Sequence, residues 1–152
     1  MPAPFPLPPA MARALELARA AAEAGEVPIG AVVTHGGVII GEGQNRNRRD
    51  NDPTAHAEMV AIRAAAARLG DFRLTGCDLY VTLEPCPMCA GAIAHARIGR
   101  LYYGAADPKG GGVEHGARVF AQPQCHHRPE VYAGLGEREA AALLTAFFAG
   151  RR

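Results

Sequence analysis

Two short motifs carry residues whose types and spacing favour metal chemistry. His56 and Glu58 form an H-x-E pattern, and Cys86 and Cys89 form a C-x-x-C pattern about thirty residues further along the chain. One imidazole and two thiolates would give Zn²⁺ three protein ligands and leave the fourth tetrahedral position for water. Because structural zinc sites use four protein ligands, this set is typical of a catalytic centre.

Glu58 adds an acid–base group to this candidate centre. Positions i and i+2 of a regular helix do not share a face, so His56 and Glu58 can converge only at the start of a helix. A glutamate there would take a proton from zinc-bound water and deliver it to a substrate nitrogen. H-x-E followed by P-C-x-x-C matches the signature of zinc deaminases that act on nucleobases.

Hydrophobic periodicity predicts the elements that position these residues. Pro53 suits the first turn of a helix that would carry His56, and Pro87 suits the start of one preceded by Cys86. Gly36 and Gly37 predict the turn of a hairpin. The predicted helices cover 10–24, 53–69, 87–96 and 137–148, and the predicted strands cover 29–35, 38–40, 78–83, 101–103 and 130–132.

Strands that alternate with helices after an opening hairpin favour an α/β domain of three layers, α/β/α, around a central mixed five-stranded sheet. The length of 152 residues predicts one domain, which we place at 10–152. Residues 1–9 contain five prolines and are expected to form a flexible lead-in. The 105–116 segment is a loop long enough to be functional.

Composition excludes several other classes of protein. The net charge of +1 argues against a strongly basic nucleic-acid arm or an acidic tail. There is no apolar run long enough for a transmembrane helix and no signal peptide, so we expect no membrane association and a cytoplasmic location. The cysteines are therefore expected to be thiols or metal ligands, with Cys77 a small core residue and Cys125 incidental.

Longer segments carry a resemblance to one enzyme family. They are Asp52–Glu58 (D-P-T-A-H-A-E), Leu79–Cys86 (L-Y-V-T-L-E-P-C) and Gly104–Lys109 (G-A-A-D-P-K). With them the sequence resembles the bacterial tRNA-specific adenosine deaminases of the TadA type, over nearly the whole chain. The resemblance implies a cytidine deaminase-like fold, a homodimer, and a tRNA anticodon stem-loop as the substrate.

The family pattern also implies roles for individual residues. His56, Cys86 and Cys89 would bind one Zn²⁺ per subunit, and Glu58 would move protons. Zinc-bound hydroxide would attack C6 of the wobble adenosine and yield inosine. The remaining residues expected to contact substrate are Asn45 at the target nucleotide, Glu84 and Pro85 at the pocket border, and Asp107 on the adjoining RNA.

Phosphate contacts are expected from Arg46, Arg48 and Arg49 at the pocket mouth. Further candidates for RNA contact are Lys109, Arg128, Arg151 and Arg152. The sequence departs from the family pattern at His126, where Asn is usual, and in ending at Arg152 without a further basic stretch. Both departures concern tRNA binding and leave the predicted zinc chemistry unchanged.

Three alternative functions remain open from the motifs. A deaminase of a free nucleobase, guanine or cytosine, would keep the chemistry and change the substrate. A thiol–disulfide oxidoreductase would use Cys86 and Cys89 as a redox pair. An RNA-binding module stabilised by zinc would have no catalytic use for Glu58.

Overall fold

The computed structural model of the protein describes residues 6–151. Arg152 and residues 1–5, which belong to the segment expected to be flexible, lie outside this range. The helices and strands, in chain order, are α1 (Pro9–Glu23), β1 (Gly30–His35), β2 (Val38–Gln44), α2 (Ala57–Leu69), β3 (Cys77–Leu83), α3 (Pro87–His95), β4 (Arg100–Ala105), a short 3₁₀ helix (Val119–Ala121), β5 (Glu130–Ala133) and α4 (Glu137–Ala149).

The five strands form one mixed sheet in the order β2-β1-β3-β4-β5. Strand β1 pairs antiparallel with β2 and with β3. Strands β3, β4 and β5 run parallel to one another. The predicted fold class, an α/β protein with a mixed five-stranded sheet, is therefore confirmed.

Helices cover both faces of the sheet. Helices α1 and α4 pack on one face, where Met11 and Leu15 meet Val32 and Ala140. Helices α2 and α3 pack on the other face, over a core that includes Ala61, Ile93, Val33, Leu79 and Leu101. Neighbouring strand residues such as Val32 and Val33 enter opposite layers because side chains alternate along a strand.

Two glycines in β2 set how closely α2 approaches the sheet. A Cβ on Gly41 would collide with the backbone of Ala61, and a Cβ on Gly43 would collide with the backbone of Ala57. Without side chains at these two positions, the start of α2 can lie directly against the strand. This contact fixes the N-terminal end of α2, which directly follows His56.

The structure shifts half of the predicted boundaries by one or two residues, and two of them, in β2 and α2, by four residues. Helix α1 begins at Pro9, one residue before the predicted start. Strand β2 reaches Gln44 through pairing with β1, although its last residues are poor strand formers. Helix α2 begins at Ala57 instead of 53, because the Asp52 side chain accepts hydrogen bonds from the amide and hydroxyl of Thr54 and turns the chain there.

Candidate metal-dependent active site

Two helix N-termini meet at the candidate metal centre. His56 is the N-cap residue of α2, and Cys86 is the N-cap residue of α3, both with extended backbone angles. His56 therefore lies just before the helix and not within its first turn, as the sequence had suggested. Cys89 lies in the first turn of α3. Free amide groups and helix dipoles at these ends favour negative charge, including thiolate.

The three predicted ligands come together in the structure. His56 Nδ1 lies 3.5 Å from the Sγ of Cys86 and 3.5 Å from the Sγ of Cys89. All three donor atoms lie within 4.8 Å of one another. In a tetrahedral site with ordinary zinc–ligand bond lengths, the nitrogen–sulfur edge is about 3.6 Å. The donor set and its spacing therefore fit a zinc ion.

Local electrostatics favour the metal-binding form of Cys86. Hydrogen bonding from the Cys89 thiol, with a further contribution from His56, lowers the pKa of the Cys86 thiol to about 4. The hydrogen bond between His56 and Cys86 raises the pKa of the His56 imidazole. The lowered pKa favours the thiolate of Cys86, which is the form of cysteine that binds metal. The hydrogen bond with Cys86, together with burial, raises the pKa of the Cys89 thiol.

Glu58 is buried beside the three candidate ligand residues, with 4% of its surface exposed. Burial raises its pKa to about 7, and the negative charge of Cys86 acts in the same direction. A carboxyl group with a pKa near neutrality can both accept and release a proton during turnover. Glu58 lies in the first turn of α2, two residues after the N-cap His56, and its carboxyl group forms a hydrogen bond with the Cys89 side chain.

Asn45 is tied to the start of the same helix. Its side-chain Oδ1 accepts a 2.8 Å hydrogen bond from the amide of Ala57, the residue between His56 and Glu58. Asn45 is 5% exposed, and its side chain forms no hydrogen bond through Nδ2 with any described residue. The amide NH₂ therefore remains available for a ligand next to the candidate centre.

Glu84 organises the loop that follows β4. Its buried carboxylate accepts backbone hydrogen bonds from Asp107, Val113, Glu114 and His115, and a side-chain hydrogen bond from the imidazole of His115. Burial opposes the charged form, but these donors outweigh burial and lower the pKa of Glu84. From the sequence, Glu84 was expected only at the pocket border, because its hydrogen-bond partners lie far away in the chain.

Pro85 and Asp107 also lie along this loop. The carbonyl of Pro85 accepts a hydrogen bond from Gly112, which links the loop to the turn before Cys86. The Asp107 carboxylate accepts hydrogen bonds from the amides of Lys109 and Gly110 and so shapes its own turn. Asp107 and Lys109 line an open groove of about 500 Å³, together with Val27, Leu83, Ala106, Gly110, Leu144 and Phe148.

Two of the three clustered arginines are paired with carboxylates. Arg46 forms a two-point ion pair with Asp50, at 2.9 and 3.1 Å. Arg49 contacts the buried Glu26 through its amide and its side chain. The Arg48 side chain forms no hydrogen bond or ion pair with any residue in the described range. The three cations are thus unequal in their freedom to bind phosphate.

Comparison with known proteins identifies the family. A model of the MafB19-like deaminase family matches residues 8–149. The tRNA-specific adenosine deaminase of Agrobacterium fabrum is 59% identical over 142 residues, which cover 93% of this chain and 93% of that protein. The chain belongs to the tRNA-specific adenosine deaminases. This result confirms the family that the motifs predicted.

Two solved deaminase structures share the fold of this chain. A structure from a study of A-to-I editing by tRNA:A34 deaminases at the wobble position superposes with a TM-score of 0.88 and 60% identity, over 89% of this chain and 98% of that one. A guanine deaminase from Nitrosomonas europaea superposes with a TM-score of 0.76 and 28% identity, over 92% of this chain and 83% of that one.

Other residues noted in the sequence do not belong to the cluster of His56, Cys86 and Cys89. Cys77 is fully buried in the core, and the Cys125 thiol bonds to the carbonyl of His127. His126 is exposed and its ring lies edge-on to that of His95. Arg128 bonds to backbone carbonyls and Arg151 lies over the ring of Phe147.

The helices also bear on membrane association. Within residues 6–151, no helix combines the length and apolar character needed to cross a bilayer.

Proposed function

We propose that this protein hydrolytically deaminates the wobble adenosine of a tRNA anticodon loop to inosine. The observation that carries the proposal is the convergence of His56, Cys86 and Cys89 beside the buried Glu58. This arrangement occurs in a chain 59% identical to a protein named tRNA-specific adenosine deaminase. The geometry supplies the chemistry, and the family supports the choice of substrate.

The metal in this proposal is Zn²⁺, bound by His56, Cys86 and Cys89. One imidazole and two sulfurs are ligands that zinc prefers, and three protein ligands leave a coordination position open. When bound, zinc lowers the pKa of a coordinated water and thereby supplies a nucleophile near neutral pH.

Glu58 is the proposed proton carrier. Its carboxylate would take the proton released when the nucleophile forms and would deliver a proton to N1 of adenine as C6 is attacked. Deamination replaces the exocyclic amine with oxygen and releases ammonia. Burial of Glu58 among the ligand residues keeps bulk water from competing for that proton.

Substrate binding is assigned to the loops around the centre. A base stacked in a duplex does not expose C6, whereas an anticodon-loop base can be turned outward at a cost of a few kcal/mol or less. Asn45 would bind the target nucleotide through Nδ2, and Pro85 would border the pocket. Asp107 would contact the adjoining RNA from the loop that Glu84 holds, with Arg48 contributing phosphate contacts.

We further propose that residues 10–152 form one catalytic domain that works as a homodimer in the cytoplasm, where tRNA is modified. Size-exclusion chromatography with light scattering tests the dimer directly. A mass of one chain at assay concentrations contradicts it.

The proposed function is tested by sequencing the substrate RNA. A synthetic anticodon stem-loop with adenosine at the wobble position is sequenced before and after exposure to the pure, zinc-loaded protein. We expect that adenosine to be read as guanosine afterwards, since inosine pairs like guanosine. Unchanged adenosine in this loop, with zinc bound, contradicts the proposal.

A second candidate function is deamination of a free base, guanine in particular. The structural similarity to a guanine deaminase favours this function. The loop containing Asp107 and the cluster of Arg46, Arg48 and Arg49 favour an RNA substrate instead. Ammonia release from free guanine and cytosine, measured beside the stem-loop reaction, separates the two functions. The same preparation tests the oxidoreductase alternative, which predicts thiol–disulfide exchange activity that a zinc enzyme lacks.

A further inference from the structure

Glu26 is a buried carboxylate for which the sequence predicted no role. It lies between α1 and β1 and is 2% exposed. Its Oε1 accepts a 3.1 Å hydrogen bond from the amide of Arg48, and its Oε2 accepts a 2.9 Å hydrogen bond from the amide of Arg49. The Nε of Arg49 approaches the same Oε2 at 3.4 Å. One carboxylate therefore fixes the backbone of the segment after β2.

The Arg49 guanidinium carries this connection to Asn45. While Nε faces Glu26, Nη2 donates a 3.1 Å hydrogen bond to the backbone carbonyl of Asn45. The Asn45 side chain in turn accepts the amide of Ala57 beside His56. A continuous set of hydrogen bonds thus joins Glu26 to the start of α2, where the proposed ligand and proton carrier lie.

We propose that Glu26 is a positioning residue for substrate binding, which acts through Arg49 to hold Asn45 in place. Arg49 then serves as an internal link and not as a phosphate contact. The inference rests on the proposed function, because Asn45 is there assigned to the target nucleotide. Glu26 has no contact with the ligand residues, so its effect should appear in substrate binding more than in the chemical step.

The first experiment separates binding from chemistry. The zinc-loaded Glu26→Gln variant is assayed on the anticodon stem-loop, with rates expressed per bound zinc. Loss of hydrogen bonds to a buried charged group predicts a KM increase of about tenfold, with kcat within about threefold of the parent. The matched control is Glu42→Gln, which removes another glutamate–arginine pair, to Arg13 on the α1 side of β2, and should leave KM unchanged.

A double-mutant cycle tests the route through Asn45. If Glu26 acts through Asn45, the Glu26→Gln change should add little to the KM of an Asn45→Ala variant. Multiplicative effects of the two substitutions would show independent roles and overturn the inference. A parental KM for Glu26→Gln alone would also overturn it.

A second variant keeps the test valid if Glu26→Gln does not fold. Arg49→Lys retains the positive charge but lacks the second nitrogen that reaches the Asn45 carbonyl. The inference predicts a clear increase in KM for this variant, whereas a phosphate contact would be largely preserved by lysine. An unchanged KM would overturn the inference. Absence of deamination by the parent protein would instead reject the proposed function.

Discussion

Glu84 and His115 are joined by two hydrogen bonds, one to the backbone and one to the side chain. The amide of His115 donates to Oε2 of Glu84 at 3.1 Å, and its Nδ1 contacts Oε1 at 2.7 Å. The Glu84 carboxylate is fully buried, while the His115 side chain is 37% exposed. A residue next to the turn that carries Cys86 thus holds a loop that reaches the surface.

We predict that Glu84→Gln makes this loop more mobile without unfolding the sheet. Both carboxylate oxygens accept N–H groups, so either orientation of a glutamine amide would direct its NH₂ at a donor. Protection of the 113–115 amides from hydrogen exchange should fall by about ten- to a hundredfold, as expected for the loss of roughly 1.5–3 kcal/mol. Glu130→Gln, which breaks an exposed pair with Arg100, is the control. Exchange at parental rates would show that Glu84 does not hold the loop.

The sequence was sufficient to predict those parts of the protein that have a local hydrophobic pattern or a distinctive motif. The alternation of strands and helices predicted the layers and the mixed sheet. The H-x-E and C-x-x-C spacings predicted a cluster that the structure does bring together. Both kinds of signal depend on residues near one another in the chain, or on side chains with few other uses in that combination.

The sequence was insufficient where contacts depend on loop conformation. Glu26 and Glu84 each accept amides more than twenty residues away, and no periodicity indicates such partners. The arginine cluster is similar, since Arg46, Arg48 and Arg49 look alike in sequence and differ only in whether a carboxylate lies opposite. The start of α2 was placed too early because Pro53 fits a helix and a turn equally well.

Glu26 should also contribute to the acid sensitivity of the fold. Burial alone would raise its pKa, but hydrogen bonds from Arg49 and Arg48 outweigh burial and lower it in the folded protein. A lowered folded-state pKa stabilises the protein above the unfolded-state value of about 4.3, and this stabilisation is lost as pH falls through the folded-state pKa.

Urea unfolding of the parent and of Glu26→Gln at several pH values measures this contribution. The difference in free energy of unfolding should be roughly 1.5–3 kcal/mol at pH 7 and should shrink below about pH 5. Glu23→Gln, at an exposed position of α1, reports the effect of removing a surface carboxylate. A difference that stays constant down to pH 3 would contradict the lowered pKa.

Glu58→Gln separates an enzyme from a zinc-stabilised RNA-binding module. Glutamine keeps the size of the side chain but cannot carry the proton, so kcat should fall by about 10²–10⁴-fold. Zinc content and affinity for the stem-loop should stay near parental values, because the metal ligands and the binding loops are intact. Metal analysis, a binding titration and a turnover assay on one preparation check all three. Parental turnover would remove Glu58 from the mechanism, and loss of zinc would show that Glu58 also stabilises the metal site.

The salt dependence of stem-loop binding should distinguish Arg48 from Arg46. Each phosphate contact with a single strand contributes about 0.7 to the slope of log K against log salt concentration. Arg48→Gln should lower the slope by about that amount, since no described residue neutralises the Arg48 side chain. Arg46→Gln should lower it less, because Asp50 already pairs with Arg46.

The charge-neutral double variant of Arg46→Gln with Asp50→Asn provides the matched control for this ranking. It removes the ion pair without changing the net charge, so its slope should equal that of the parent protein. If Arg46→Gln instead lowers the slope as much as Arg48→Gln does, the ion pair with Asp50 must open when RNA binds. In that case the pairing seen in the free protein would not predict which arginine contacts phosphate.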